Sequence, residues 1–232
     1  MTILIYAIGD LHLGFSTNKE MDVFGKHWVK HYEKIKKSWI SSVKDNDLVL
    51  IAGDTSWAMS LDEAKVDIDF LKELPGRKLL VRGNHDYWWQ SLTKMKKQYI
   101  DTNISFLQND SFVYEDIVIC GTRGWVCPCD KGYTFEDEKI YIREIQRLKL
   151  SLDQDRGNHN KIVMMHYPPM NEQLEPSGFT SLFQEYGIKK VIYGHVHGEE
   201  SFKCAPQGVI DGVDYQLVSA DFLNFQLYLL EL

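Results

Sequence analysis

No apolar stretch in the 232 residues reaches the roughly 18 that a membrane-spanning helix needs, so a helical membrane protein is not expected. Cysteine is scarce. The four present are Cys120, Cys127, Cys129 and Cys204, and the one close pair has C-x-C spacing, unlike the C-x₂-C of a zinc site. They read as a reduced, structural set. Positive charge is in deficit: the formal net charge is −7, which weighs against a protein that grips nucleic acid over a broad face. Internal repeats, low-complexity tracts and Pro/Gly-rich linkers are also missing, so one α/β domain over residues 1-232 is the simplest organisation. Met1–Ile8 is apolar but short, has no basic leader and is cut off by Asp10, which predicts a cytoplasmic chain.

Hydrophobic residues make up 44% of the chain, as expected of a globular protein. Ile3–Ile8, Leu48–Ala52, Lys78–Val81, Lys161–Met165 and Lys190–Tyr193 are compact aliphatic runs and predict strands buried on both faces. Phe24, Trp28, Tyr32, Ile35, Trp39 and Val43 step by three or four residues and predict one long helix. Ser60 with Glu63 predicts a capped helix start, and Leu61, Ala64, Ile68 and Leu71 form its buried stripe. Tyr141, Ile145, Leu148 and Leu152 predict a third helix, and a short fourth around Leu182–Tyr186 should stop at Gly187. Phe112–Tyr114 and Ile117–Cys120 flank a Glu115-Asp116 turn. Val213–Val218 and Phe225–Leu230, separated by the turn-rich Asp221–Asn224, predict a closing hairpin.

The informative residues follow the aliphatic runs. The first run ends in Gly9-Asp10-Leu11-His12, the second in Gly53-Asp54 and the third in Gly83-Asn84-His85-Asp86. The fourth ends in His166 and the fifth in Gly194-His195-Val196-His197. Ligands of open α/β sheets bind beyond the carboxyl ends of the strands, so these side chains should share one rim. Imidazole and carboxylate ligands suit zinc, manganese or iron, whereas calcium would call for nearly all oxygen. Six such groups besides Asn84 are too many for one open four-coordinate ion and suit two ions sharing a carboxylate. Each piece alone has an ordinary explanation: a Gly-Asp turn, a core histidine, a chance H-x-H. Together, at successive strand ends, they predict a metal centre.

This series, D-x-H, G-D, G-N-H-D, a lone His after a strand and then G-H-x-H, resembles the calcineurin-like metallophosphoesterases from Asp10 to His197. The resemblance implies a four-layer αββα sandwich of two mixed β-sheets flanked by helices, with the site at the strand C-terminal ends. It implies that Asp10, His12 and His197 hold one metal, that Asp54 bridges, and that Asn84, His166 and His195 complete the second site. His85 would face the leaving oxygen. Many relatives read G-D-x-x-D, the second aspartate orienting that histidine, whereas this chain has Trp57 there. An imidazole without a carboxylate partner is less firmly oriented and its pKa is raised less, so the general-acid role of His85 has less behind it than the metal set.

Two divalent ions with Asp10 and Asp54 would leave the centre with a charge of about +2, attractive to a phosphate ester. A water bridging ions about 3.5–4 Å apart would be hydroxide near neutral pH and attack phosphorus directly, with inversion. The expected substrate is a small phosphomonoester, phosphodiester or nucleotide. The aromatic residues Trp57, Tyr87, Trp88, Trp89, Trp125 and Tyr167 cluster near the motifs. Trp125 and Tyr167, with Arg123 as a phosphate clamp or a solvated loop residue, are the candidate substrate contacts. A nuclease is possible but not favoured by the acidic charge, and a non-catalytic metal-binding scaffold ranks last because every ligand position is filled. His27 and His31 are expected at the surface. Lys34, Lys36 and Lys37, like Lys94, Lys96 and Lys97, read as solvated helix faces. No membrane contact and no particular oligomeric state is implied.

Overall fold

The computed structural model describes residues 3–17, 19–155 and 159–231; Met1 and Thr2 of the opening apolar run lie outside the described residues. In chain order the elements are β1 (Ile5–Ile8), α1 (His31–Ser42), β2 (Leu48–Ile51), α2 (Leu61–Glu73), β3 (Arg77–Val81), α3 (Leu92–Gln98), β4 (Ile104–Leu107) and β5 (Ser111–Tyr114). There follow β6 (Ile117–Thr122), α4 (Phe135–Asp153), β7 (Asn160–Met165), α5 (Gly178–Glu185), β8 (Lys190–Tyr193), α6 (Glu199–Phe202), β9 (Gly208–Ile210), β10 (Val213–Leu217) and β11 (Tyr228–Leu229).

The aliphatic runs are apolar at every position because both of their faces are covered. In β1, Ile5 and Ala7 enter a core shared with the other sheet, while Tyr6 and Ile8 meet the helices. In β6, Ile117 and Ile119 face inward, and Val118 and Cys120 face outward. Three apolar cores therefore separate four layers of helix, sheet, sheet and helix. The first sheet has the order β11-β1-β2-β3-β4 and the second β5-β6-β7-β8-β10-β9. β1, β2, β3 and β4 pair in parallel, as do β6, β7, β8 and β10, with antiparallel β11, β5 and β9 at three of the four edges. Both sheets are mixed.

Two expectations about secondary structure change. The stripe from Phe24 to Val43 is not one helix: short 3₁₀ turns at Met21–Phe24 and Lys26–Trp28 precede α1. Lys30 has φ of 51°, a left-handed conformation that a continuous helix cannot pass. Phe24 is consequently exposed while Trp28 is buried. The closing hairpin also fails to form. β10 already has β8 on one side and β9 on the other, so β11 crosses to the first sheet and pairs with β1. The turn around Asp221–Phe225, with Asn224 and Phe225 at positive φ, makes that crossing.

His31 is buried rather than at the surface, with ring nitrogens 3.2 Å from the Trp28 carbonyl and 2.9 Å from that of Leu11. It thereby ties α1 to the loop after β1. The helix starts follow their caps. Ser60 accepts from the Glu63 amide, and Thr134 forms a reciprocal box with Asp137. Gly187, just past α5, has φ of 65°. Cys120 and Cys127 are buried, and all four cysteines are free.

Candidate metal centre

The chain turns sharply as it leaves each parallel strand. Asp10, His12, Asp54 and His195 all have φ between 44° and 73°, a region that non-glycine residues enter at a cost of about 1–3 kcal/mol each. Four such residues at three strand exits, those of β1, β2 and β8, concentrate backbone strain at one rim of the fold. Glycines let those exits pass one another. A Cβ on Gly83 would lie 2.0 Å from Asp54 Oδ1, and one on Gly194 would lie 2.4 Å from Asp10 Oδ2.

The exits bring seven side chains to one point. Asp10, His12 and His197 offer ligand atoms within 4.8 Å of one another, and Asp10, Asp54 and His166 form a second such group. His12 Nε2 lies 3.4 Å from His197 Nε2 and 3.9 Å from Asp54 Oδ2, so Asp54 is within reach of both groups. Beside them, Asn84 Oδ1 is 2.7 Å from His166 Nε2 and 3.0 Å from His195 Nδ1, and those two nitrogens are 3.2 Å apart.

The donor set fits divalent cations. His166 Nδ1 donates to the Ala52 carbonyl at 2.9 Å, which leaves the Nε2 lone pair pointing at Asn84 Oδ1 and at Asp54 Oδ2, 3.6 Å away. An acceptor oxygen and imidazole lone pairs converging at such distances repel unless a cation or protons lie among them. His12 Nδ1 is buried with no hydrogen-bond partner. The protonation equilibria of these side chains reflect the same crowding. Burial pushes the Asp54 carboxyl up to about 7 against the pull of His166, and burial with the nearby His166 takes His195 down to about 3. For His197, burial is outweighed by the charges of Asp10 and Asp221, which carry it to about 10. Burial also works to raise Asp10, but His197, His166 and His12 together hold it below the usual carboxylate range.

Several supporting residues were not singled out from sequence. Asp221 accepts from His197 Nδ1 at 2.9 Å and fixes which nitrogen faces the site. Its position inside an apparent hairpin turn concealed it. Asp86 is buried and accepts from the amides of Gly83, Thr55 and Ser56 and from Trp88 Nε1, locking the G-D and G-N-H-D loops together. Asp54 and Asp10 are themselves oriented by backbone, through the amides of His85 at 2.8 Å and His195 at 2.9 Å. Trp57 stacks on His12 with ring centroids 4.8 Å apart and packs on His85 at 4.6 Å. His85 is half-buried, and burial lowers its pKa, with the charge of His166 adding to the effect. Among the described residues no carboxylate is hydrogen-bonded to its ring.

A family model described as calcineurin-like phosphoesterase matches residues 3–199. The chain belongs to the calcineurin-like phosphoesterase family. Among curated relatives, the Gene 66 protein of Mycobacterium phage L5 is 22% identical over 188 residues, 81% of this chain and 74% of that one. A probable cyclic nucleotide phosphodiesterase of Coxiella burnetii is 22% identical over 174 residues, 70% of this chain and 64% of that protein. The solved phosphopantetheinyl hydrolase of Mycobacterium tuberculosis superposes with a TM-score of 0.59 at 15% identity, over 93% of this chain and 88% of that one. A protein of unknown function from Aquifex aeolicus does so with 0.53 at 16%, over 98% and 96%. At these identities the structural likeness speaks for the fold.

Two of the grooves that reach this centre are lined by both His195 and His197. One, of about 420 Å³, runs past Trp57, Trp28, Phe24 and His85; the other, of about 410 Å³, runs past Tyr167, Met170 and Lys131. Tyr167 is buried with its ring 4.0 Å from that of His195. Arg123 and Trp125 are not brought to the centre. Arg123 lies 3.5 Å from the buried Glu144 and against the Trp125 ring, partly buried and lining neither groove. Trp125 donates to Asp137 at 2.8 Å. No described helix is long and apolar enough to cross a membrane.

Proposed function

We propose that the chain, read as one domain over residues 1–232, is a two-metal phosphoesterase that hydrolyses a small phosphodiester or nucleotide. Asp10, His12 and His197 would hold one divalent cation, Asn84, His166 and His195 the other, and Asp54 would bridge. Manganese, iron and zinc all suit this set. The observation that carries the reading is the convergence of Asn84 Oδ1, His166 Nε2 and His195 Nδ1 within 3.2 Å beside Asp54. Bound cations would supply Lewis-acid polarisation of the phosphoryl oxygens and an acidified water as nucleophile.

The protein's own groups do the positioning. Amides of His85 and His195 fix the two carboxylates, so neither reorganises when an anion arrives. His85 borders the groove outside both ligand groups and would face the leaving oxygen, held by the packing of Trp57 where relatives use a carboxylate. The apolar walls Trp28, Trp57 and Phe24 suit a ring or aliphatic ester group, which favours a diester over a bare monoester. The likeness to a probable cyclic nucleotide phosphodiesterase supports the same preference.

The test is release of nitrophenol from bis-p-nitrophenyl phosphate and p-nitrophenyl phosphate, with manganese, zinc or chelator, by wild type and Asp54→Asn. The expected result is metal-dependent release, faster for the diester and lost in the variant. Equal release by the variant would sink the two-metal reading, and a faster monoester would sink the diester preference.

A further inference from the structure

Away from both grooves, a third cavity of about 190 Å³ lies between the strand ends and α4, and it shares no lining residue with either groove. Arg82 follows β3, Arg123 follows β6, and Arg143 and Arg147 stand one turn apart on α4; all four line this cavity together with Glu144 and Asn109. Four guanidiniums against one carboxylate leave an excess of three positive charges.

Glu144 is fully buried and already committed. It accepts from Arg147 at 2.6 Å and from Thr122 Oγ1 at 2.5 Å, with Arg123 at 3.5 Å. Arg82 and Arg143 have no ion pair among the described residues, and the Nε atoms of Arg82 and Arg123 are buried without a hydrogen-bond partner. Arg143 is exposed and the other three are partly buried, so the cavity opens to solvent with like charges and unused donors that an anion would offset. Guanidinium forks match phosphate oxygens bidentately. The volume, against roughly 30 Å³ per water in the liquid, admits a phosphate group with a few waters.

We propose that the cavity formed by Arg82, Arg123, Arg143 and Arg147 is a binding site for a phosphate dianion, separate from the metal centre. The dianion is either free phosphate or a second phosphate carried by the substrate. The inference does not rest on the two-metal reading.

Calorimetric titration of inorganic phosphate into the manganese-loaded full chain tests it. Asp54→Asn should retain a saturable phosphate site. Adding Arg82→Gln and Arg143→Gln to that background should weaken it about tenfold or more, the loss of charge-assisted contacts. Arg143→Lys alone, which keeps the charge and loses the fork, should fall between, and thermal unfolding checks that each variant is folded. Absence of a phosphate site in Asp54→Asn, or one unchanged by the arginine substitutions, overturns the proposal. If wild type and Asp54→Asn bind phosphate identically and the arginine variants do not, this site stands and the two-metal reading falls. The two sources separate in turnover by Arg143→Gln. A substrate-borne phosphate raises KM for a bisphosphorylated nucleotide while sparing bis-p-nitrophenyl phosphate. Free phosphate instead alters the wild-type rate in a way that the variant, left only with competition at the metal centre, does not reproduce.

Discussion

The first sheet brings Asp10, His12, Asp54 and Asn84 to the rim, whereas the second brings only imidazoles, His166, His195 and His197. All the carboxylate charge therefore comes from one half and all but one of the neutral nitrogen donors from the other. The carboxylates and His166 are buried, while His195 and His197 are only partly so. Neither sheet alone can surround a divalent cation, and the centre exists only where the halves close. The seam is close-fitting there: the His195 amide from the second sheet donates to Asp10 of the first, and Gly194 admits that carboxylate. The lesson is that cation binding and the docking of the two sheets should be coupled.

The largest effect is expected where the halves meet. Asp54→Asn should bring metal-dependent turnover to background, measured on the diester, because Asp54 reaches both ligand groups. Coupling between halves should appear as stabilisation. Manganese at a hundredfold excess over its Kd should raise unfolding stability by about 2.7 kcal/mol, read by thermal or denaturant unfolding, and His166→Ala should reduce that gain. An absent gain would break the comparison. Next, Asp221→Asn should lower metal affinity or turnover by about 10–100-fold, since it orients His197 from outside the ligand set. His197→Ala with Asp221→Asn should be no worse than His197→Ala alone.

The smallest effect on the centre itself is expected from a residue at the far end of the first sheet, which serves as a control on stability. Lys78 is fully buried on the first sheet, its Nζ donating to the Leu74 and Gly76 carbonyls, and burial lowers its pKa from 10.5 to about 8. Below pH 8 both folded and unfolded chains hold the proton, and the penalty is full. Between pH 8 and 10.5 the folded chain has released it and the unfolded chain has not, so stability rises with pH. Relative to Lys78→Met, wild type should gain up to roughly 1.4 kcal/mol per pH unit across that window. Metal affinity at pH 7 should be the same in both, and a change there would show that the first sheet transmits strain to the rim.

Sequence periodicity reached the strands because a run buried on both faces is apolar throughout, and it reached the ligands because each stands directly after such a run. The residues Gly-Asp, Gly-Asn-His and Gly-His-x-His carried the family and the candidate ligand set by local covalent order. The break at Lys30 and the sheet change of β11 were hidden for different reasons. A helical stripe continues in sequence through a backbone reversal, and strand pairing depends on which edges are already taken. Burial of His31, the link from Asp221 to His197 and the gathering of four arginines around Glu144 join residues far apart in the chain. Tertiary structure alone decided those, because charge and hydrogen-bond partnership depend on distance in space, which periodicity does not encode.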